Sequence, residues 1–577
     1  MQIKESSTVY DVCIVGSGAG GGMAAKTLAE AGAKVALLEA GPMFDSAQGD
    51  MFKWPYQSPR RGANTHRPFG EFDAAFGGWE IEGEPYTRVA GTEFDWFRSR
   101  MLGGRTNHWG RISLRFGEKD FKRKSVDGLG DDWPISYADI KPYYDRIDKM
   151  IGVFGVNFDP SLGLVNEPDG HFLPPPKPRA YEMLVKKACD PLNIPVVPSR
   201  LSILTRPLGK RAACHYCSQC NRGCSTHSNF SSPSVLLPPA LETGNVTLIT
   251  NAMAREVLTN DEGLATGVSY ISKDDNMEYT VRAKAVVLSA SACETARLML
   301  NSKSSRHPNG LGNSSGMVGK YLMDSTGGDL AGVFPQMMDG IPYNEDGVGG
   351  MHMYMPWWID NQKAKLNFPR GYHIEIWGGK NMPSYGFLGG IQNYNAAFGA
   401  ERPKGGGGYG TQLKNDYRSF YGAMVGFSGR GEPVALESNY CEIDPGVVDQ
   451  WGIPVLRFNY KWSDYEILQA KHMQDTFEEI IDSMGGKLLW NKAGEESNYG
   501  LHAPGRIIHE VGVARMGKDA KKAPVNEYCQ SFDCKNLFVA DGASFVSMAD
   551  KNPTWTILAL SLRTSEYIID QKKKGNI

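Results

Sequence analysis

An apolar stretch, Tyr10 to Val15, runs directly into Gly16-Ser17-Gly18-Ala19-Gly20-Gly21-Gly22, and a helix-compatible run, Met23 to Ala31, follows. Few patterns restrict a fold so tightly, because a strand, a G-x-G-x-x-G turn and a helix in this order open a βαβ nucleotide-binding unit. Read this way, Gly16 permits the tight turn, Gly18 lets backbone approach a pyrophosphate, and Gly21 lets helix and strand pack closely. The unpaired N–H groups of the helix then face the phosphates. A second strand, Lys34 to Leu38, ends in Glu39, where an acid that accepts hydrogen bonds from an adenosine ribose is expected. A carboxylate there disfavours a 2′-phosphate. The motif alone does not separate NAD from FAD, and a glycine-rich loop of structural purpose is the plainer alternative.

At 577 residues the chain exceeds the size at which single cores stop growing, so two domains are expected. A hydrophobic fraction of 41%, a charged fraction of 22% and a formal net charge of −2 support no argument for nucleic acid or a membrane surface. No stretch approaches the roughly 18 apolar residues of a membrane span. The N-terminus enters a strand without a charged n-region, apolar h-region or cleavage site, so no secretion signal is expected on this chain. Four of the ten cysteines, Cys214, Cys217, Cys220 and Cys224, crowd into one short stretch, which points to metal before disulfide.

Near the other end, Asn536 to Ala540 has the pattern of a buried strand, stops at Asp541-Gly542, and is followed by a helix beginning near Pro553. Together with Met101-Leu102-Gly103-Gly104-Arg105-Thr106-Asn107-His108-Trp109, Trp133 to Tyr137, Pro142-Tyr143-Tyr144, Ala285 to Leu300 and Val318 to Asp324, the chain resembles the glucose-methanol-choline (GMC) oxidoreductases over nearly its whole length. The resemblance implies an α/β plus antiparallel-β fold: a discontinuous Rossmann-like FAD-binding domain and a substrate domain built on a large antiparallel sheet. The expected division gives residues 1–45, 95–120, 200–324 and 501–577 to the FAD domain, and 46–94, 121–199 and 325–500 to the substrate domain and connections. Strand-like runs at Tyr372 to Trp377 and Val455 to Tyr460 suit that sheet, and Gly405 to Gly408 reads as a mobile loop. By the same resemblance Asp541 and Gly542 bind the ribityl-phosphate region, while Gly103, Gly104, Thr106, Asn107 and His108 contact the flavin, His108 being a candidate for a covalent bond to it.

Removing a hydride from a carbinol carbon needs a base for the hydroxyl proton, and histidine suits that work near neutrality. His509 matches the family's catalytic histidine, although Gly512-Val513 stands where Gly-Thr is usual, and Asn552 falls on the partner position. Asn552 would donate to the substrate oxygen as negative charge grows there.

Cys214, Cys217, Cys220 and Cys224 have the C-x2-C-x2-C-x3-C spacing of iron–sulfur ferredoxins, with Ser225 in place of the usual proline. Zinc, disulfides and free thiols are the alternatives, and three-iron and four-iron clusters are not separated by spacing. A cluster beside FAD implies a dehydrogenase with a cytochrome-type acceptor. Cys-His-Tyr-Cys with Ser228-Asn229-Phe230-Ser231 most resembles large subunits of glucoside 3-dehydrogenases, which implies a sugar or glycoside substrate. It also implies a small subunit carrying an export signal, so the final location is periplasmic by co-export or else cytoplasmic. The competing expectations are oxidation at C1, C2 or C5 of a sugar or polyol, a pyranose-oxidase-like enzyme, and a flavin-binding redox sensor without turnover.

Overall fold

The computed structural model describes residues 4–47, 76–217, 220–340, 347–379 and 410–577. Gly405 to Gly408 lies outside them. Its first sheet joins the two ends of the chain: in spatial order it holds Val246–Ile249, Val35–Leu38, Lys4–Val15, Glu278–Leu288, Ala265–Ser272 and Ala252–Thr259, and Leu537–Val539 also pairs with Glu278–Leu288. The pairings of Lys4–Val15 with both neighbours, and of Leu537–Val539, are parallel. Val35–Leu38 is buried at every position, as a strand covered on both faces must be.

The helix Ala19–Glu30 begins four residues before the expected Met23, inside the glycine run. The reason is packing: a Cβ on Gly21 would lie 1.8 Å from the carbonyl oxygen of Gly16, so only glycine lets the first helical turn sit on the strand end. The C-terminal helix Thr554–Lys573 lies against it, and the Ser561 hydroxyl donates to the Gly20 carbonyl at 2.7 Å.

A second sheet of six strands runs Lys487–Leu488, Thr326–Val333, Met424–Gly431, Tyr372–Gly378, Met353–Met355, Val197–Pro198, with antiparallel pairing throughout. Leu330, Ile374, Ile376 and Phe427 send apolar side chains from one face into a core shared with Met473, Phe477 and Ile480 of the helix Asp464–Ser483. On the opposite face Glu375 and Arg430 reach the cavity beside the first sheet, while Ala331, Val333 and Trp377 join a separate apolar cluster with Phe420 and Leu489. Trp357, Trp358 and Tyr372 belong to or pack on the apolar side. Among the described residues no helix is long and apolar enough to cross a membrane.

Candidate active site

A cavity of about 410 Å³ runs from the glycine turn to the contact between the two sheets. Gly16, Gly18, Glu39, Gly104, Thr106, His108, Asp541 and Gly542 line it, and so do His509 and Asn552. Gly16 sits at φ +94°, left-handed backbone that closes the turn. At Gly18 a Cβ would meet nothing nearer than the Gly103 carbonyl oxygen at 4.0 Å, so the turn offers open room to an approaching group. Glu39 is buried: its Oε1 accepts the Gly41 N–H at 2.9 Å, and its Oε2 accepts the Ser17 hydroxyl and, at 3.3 Å, the Ser17 N–H. Burial pushes its pKa up against these bonds.

Three predicted contact residues do not line the cavity. Gly21 packs beneath the turn. Gly103 donates its N–H to the Ser17 hydroxyl at 2.8 Å, and Asn107 donates to the carbonyls of Leu102 at 2.9 Å and Gly104 at 3.1 Å. They shape the loop that carries Gly104, Thr106 and His108. Burial lowers the pKa of His108 to about 3, so its imidazole is neutral. Asp541 accepts the Thr295 hydroxyl at 2.6 Å, the Ala543 N–H at 2.9 Å and the Ser291 N–H at 3.1 Å, and burial holds its pKa up at about 6.

His509 and Asn552, 43 positions apart, meet across the cavity, with Asn552 Nδ2 3.3 Å from His509 Nε2. Burial, with Arg430 as the next cause, lowers the His509 pKa to about 3, so it stands neutral. Its backbone N–H donates to Asp324 Oδ1 at 2.8 Å, and its Nδ1 lies 3.0 Å from the Ser325 Oγ. With the Asn552 Nδ2 donor at Nε2, the matching tautomer carries its proton on Nδ1, where the Ser325 oxygen can accept it. That tautomer puts the lone pair of a base on Nε2, toward the cavity. Asn552 Oδ1 is buried with no hydrogen-bond partner, a polar atom directed at what the cavity takes in. Lys551 anchors the Asn552 segment through ion pairs to Asp550 at 2.7 Å and Glu167 at 3.2 Å.

Arg105 ties the loop to the histidine: it pairs with Glu510 and donates to the Ile508 carbonyl at 3.3 Å and the Ser291 hydroxyl at 2.6 Å. Sequence reasoning assigned no role to Arg105 or Asp324, although both end or occupy quoted motifs, and it missed Ser325, Glu375 and Arg430 entirely. The last two reach the cavity from separate strands and left no local signal.

Cys214, Cys217, Cys220 and Cys224 lie outside this cavity and are joined by no disulfide among the described residues. Burial raises Cys214 to about 12, and the three other cysteines add to the rise, so the four share one neighbourhood. Among the described residues, however, no three His, Cys, Asp or Glu are gathered closely enough to hold a metal ion. Cys224 Sγ instead lies 3.2 Å from the Ser228 hydroxyl. The donor set suits an iron–sulfur cluster, while its arrangement here is not that of a closed ligand shell. Arg111, three residues beyond His108, feels Cys220 and Cys224 electrostatically, which places the cysteine stretch near the loop that carries His108.

Sequence profiles of the GMC oxidoreductases match residues 177–326 and 436–561, and an FAD-binding-domain profile matches residues 11–54. The chain is 30% identical to a 2-methyl-1,2-propanediol dehydrogenase of Mycolicibacterium austroafricanum, over 98% of this chain and 96% of the relative. It is 26% identical to the fructose dehydrogenase large subunit of Gluconobacter japonicus, over 98% of each, and 25% identical to a gluconate 2-dehydrogenase flavoprotein of Pantoea cypripedii, over 98% and 94%. A formate oxidase structure from Aspergillus oryzae superposes with a TM-score of 0.64 at 14% identity, covering 99% of this chain and 100% of that one, which speaks to the fold alone. With these profile matches and a relative 30% identical over nearly its whole length, the chain belongs to the GMC oxidoreductase family, FAD-binding enzymes that act on CH–OH donors.

Proposed function

We propose that this protein is a dehydrogenase that oxidises a secondary hydroxyl of a sugar, C3 of a glucoside or disaccharide, to the keto sugar. The observation that carries the reading is the His509–Asn552 pair, with the base lone pair on Nε2 facing the cavity. FAD, when bound, would supply the two-electron acceptor for the hydride. His509 Nε2 takes the hydroxyl proton as the C–H bond weakens, and Ser325 holds the imidazole in the tautomer that permits this. Asn552 orients the carbinol oxygen beside it. Glu39 and the glycine turn would hold the dinucleotide end, and Asp541 with Gly542 the ribityl phosphate. His108, neutral and on the cavity wall, is in the protonation state that bonding to the flavin requires.

Cys214, Cys217, Cys220 and Cys224 would hold an iron–sulfur cluster, three-iron or four-iron, that provides a one-electron exit to a cytochrome-type acceptor. Their spacing and their place near Arg111 support this. The named relatives include a fructose dehydrogenase large subunit and a gluconate 2-dehydrogenase flavoprotein, which supports a sugar substrate and a partner subunit. The test is product analysis with glucose and methyl glucoside: a 3-keto product from both supports the reading, and an enzyme inert toward methyl glucoside acts at C1 instead. Electron paramagnetic resonance on anaerobic protein tests the cluster, since iron without a sugar-responsive signal would remove it from the electron path.

A further inference from the structure

On the strand Tyr372–Gly378, Tyr372, Ile374 and Ile376 are buried in the second domain's core, so His373, Glu375 and Trp377 stand on the opposite face. Cross-strand register places His373 opposite Arg430 and Glu375 opposite Ser428, and Ser428 in turn opposite Asp329. Paired residues share a face, so His373, Arg430, Glu375, Ser428 and Asp329 make a polar stretch of this wall, beyond which Trp377 joins an apolar cluster with Ala331 and Val333. Glu375 and Arg430 are its two members that line the cavity with His509 and Asn552.

Their contacts differ from those of an ion pair that holds structure. Arg370, fully buried, meets Asp127 at 3.0 Å and Glu432 at 3.1 Å. Arg430 donates Nη1 to the Gly429 carbonyl at 2.9 Å but stands 3.5 Å from Glu375 and 3.9 Å from Asp329, while Glu375 reaches His373 Nε2 only at 3.4 Å, and both side chains remain 18% exposed. The carboxylate stays ionised, held down at about 2 by Arg430 and His373 against burial. Acceptors and donors therefore stand side by side, loosely engaged, on the wall next to the base. A carboxylate accepts two hydroxyl protons and a guanidinium donates to two oxygens, the complement of adjacent hydroxyls on one carbon chain.

We propose that Glu375 and Arg430 are specificity-determining residues that grip the hydroxyl next to the carbon being oxidised, and that their paired charges select neutral polyols and sugars over sugar acids. This rests on the sugar dehydrogenase reading above. A sugar acid could bind Arg430 only by displacing or facing Glu375, which repels it.

The test compares wild-type holoenzyme and Glu375→Gln on methyl glucoside, on its analogues deoxygenated at the carbon beside the oxidised one, and on the corresponding glucuronide. Turnover of methyl glucoside by the wild type establishes the underlying reading separately; its absence fails that reading, and the deoxy comparison is then made on whichever polyol is oxidised. In the wild type, removing the adjacent hydroxyl lowers kcat/KM about tenfold to hundredfold. In Glu375→Gln that penalty shrinks toward none, the loss appears mainly in KM, and the ratio of glucuronide to glucoside turnover rises. A wild-type enzyme indifferent to the adjacent hydroxyl, or one that prefers the glucuronide, overturns the proposal without any variant. So does a Glu375→Gln enzyme that slows all substrates equally, since that is the mark of an electrostatic effect on His509 alone. Should Glu375→Gln not incorporate flavin, Arg430→Lys is read in the same cycle, with the bidentate preference lost and the charge retained.

Discussion

Two parts of the cavity wall are built from different material. Around Gly16 and Gly18 the wall is main chain, made possible by side chains that are missing, and the contacts are set within a few residues of sequence. Around His509 the wall is side chain: His509, Asn552, Glu375 and Arg430 arrive from four separate segments, and the adjacent Asp324 and Ser325, with Arg105, fix the histidine from two more. The first kind of site fails when an atom is added. The second fails when one is removed or its charge altered.

The largest effect should follow from adding atoms. Gly21→Val places methyl groups where even a Cβ would lie 1.8 Å from a carbonyl oxygen, so the protein is expected without bound flavin, as read from its visible absorption. Normal flavin content in that variant would break the contrast. His509→Ala should retain flavin and lose about 10²–10⁴-fold in sugar-driven dye reduction, the range of a general base. Ser325→Ala leaves the base present but releases its tautomer, and about tenfold in kcat with little change in KM is expected. A change in KM alone would assign Ser325 to binding.

The smallest expected effect concerns pH. With the His509 pKa near 3, protonation removes the base only in strong acid, so the limb of kcat/KM that belongs to this group lies far below the 6.5 of a free imidazole. Arg430 contributes to that depression, and Arg430→Met should move the limb toward higher pH. The sign for stability is the same. Between about 3 and 6.5 the unfolded chain binds a proton at this histidine that the folded chain refuses, so its contribution is complete above 6.5 and is lost as pH falls through the folded value. A separate inflection near 7 belongs to Asp324, whose carboxyl is raised by burial and by Glu510, and Asp324→Asn should abolish it.

Legibility in the sequence followed the same division. Strand, turn and helix at residues 10 to 31 are contiguous, and their chemistry is steric, so spacing alone implied them, apart from a helix start displaced by the packing of Gly20 to Gly22. His509 and Asn552 were legible through family motifs, and the structure brings the two together. The cysteine spacing was equally plain, yet among the described residues no group able to hold a metal forms there, and Cys224 Sγ lies beside the Ser228 hydroxyl, because spacing states which thiols can reach and not where the fold holds them.

By itself the sequence determined a nucleotide-binding turn, a two-ended domain and the identity of a candidate base. Those features depend on neighbours along the chain or on residue types with few other uses. Only the tertiary structure decided which nitrogen of His509 is the base and which charges surround it. It also decided that a polar stretch of one sheet face stands against it. The tautomer is supported by Ser325, 184 positions away, and Glu375 and Arg430 share the cavity wall only because antiparallel register lays their strands side by side. Burial, the largest cause of the histidine's neutrality, is a property of the packed whole that no local pattern carries.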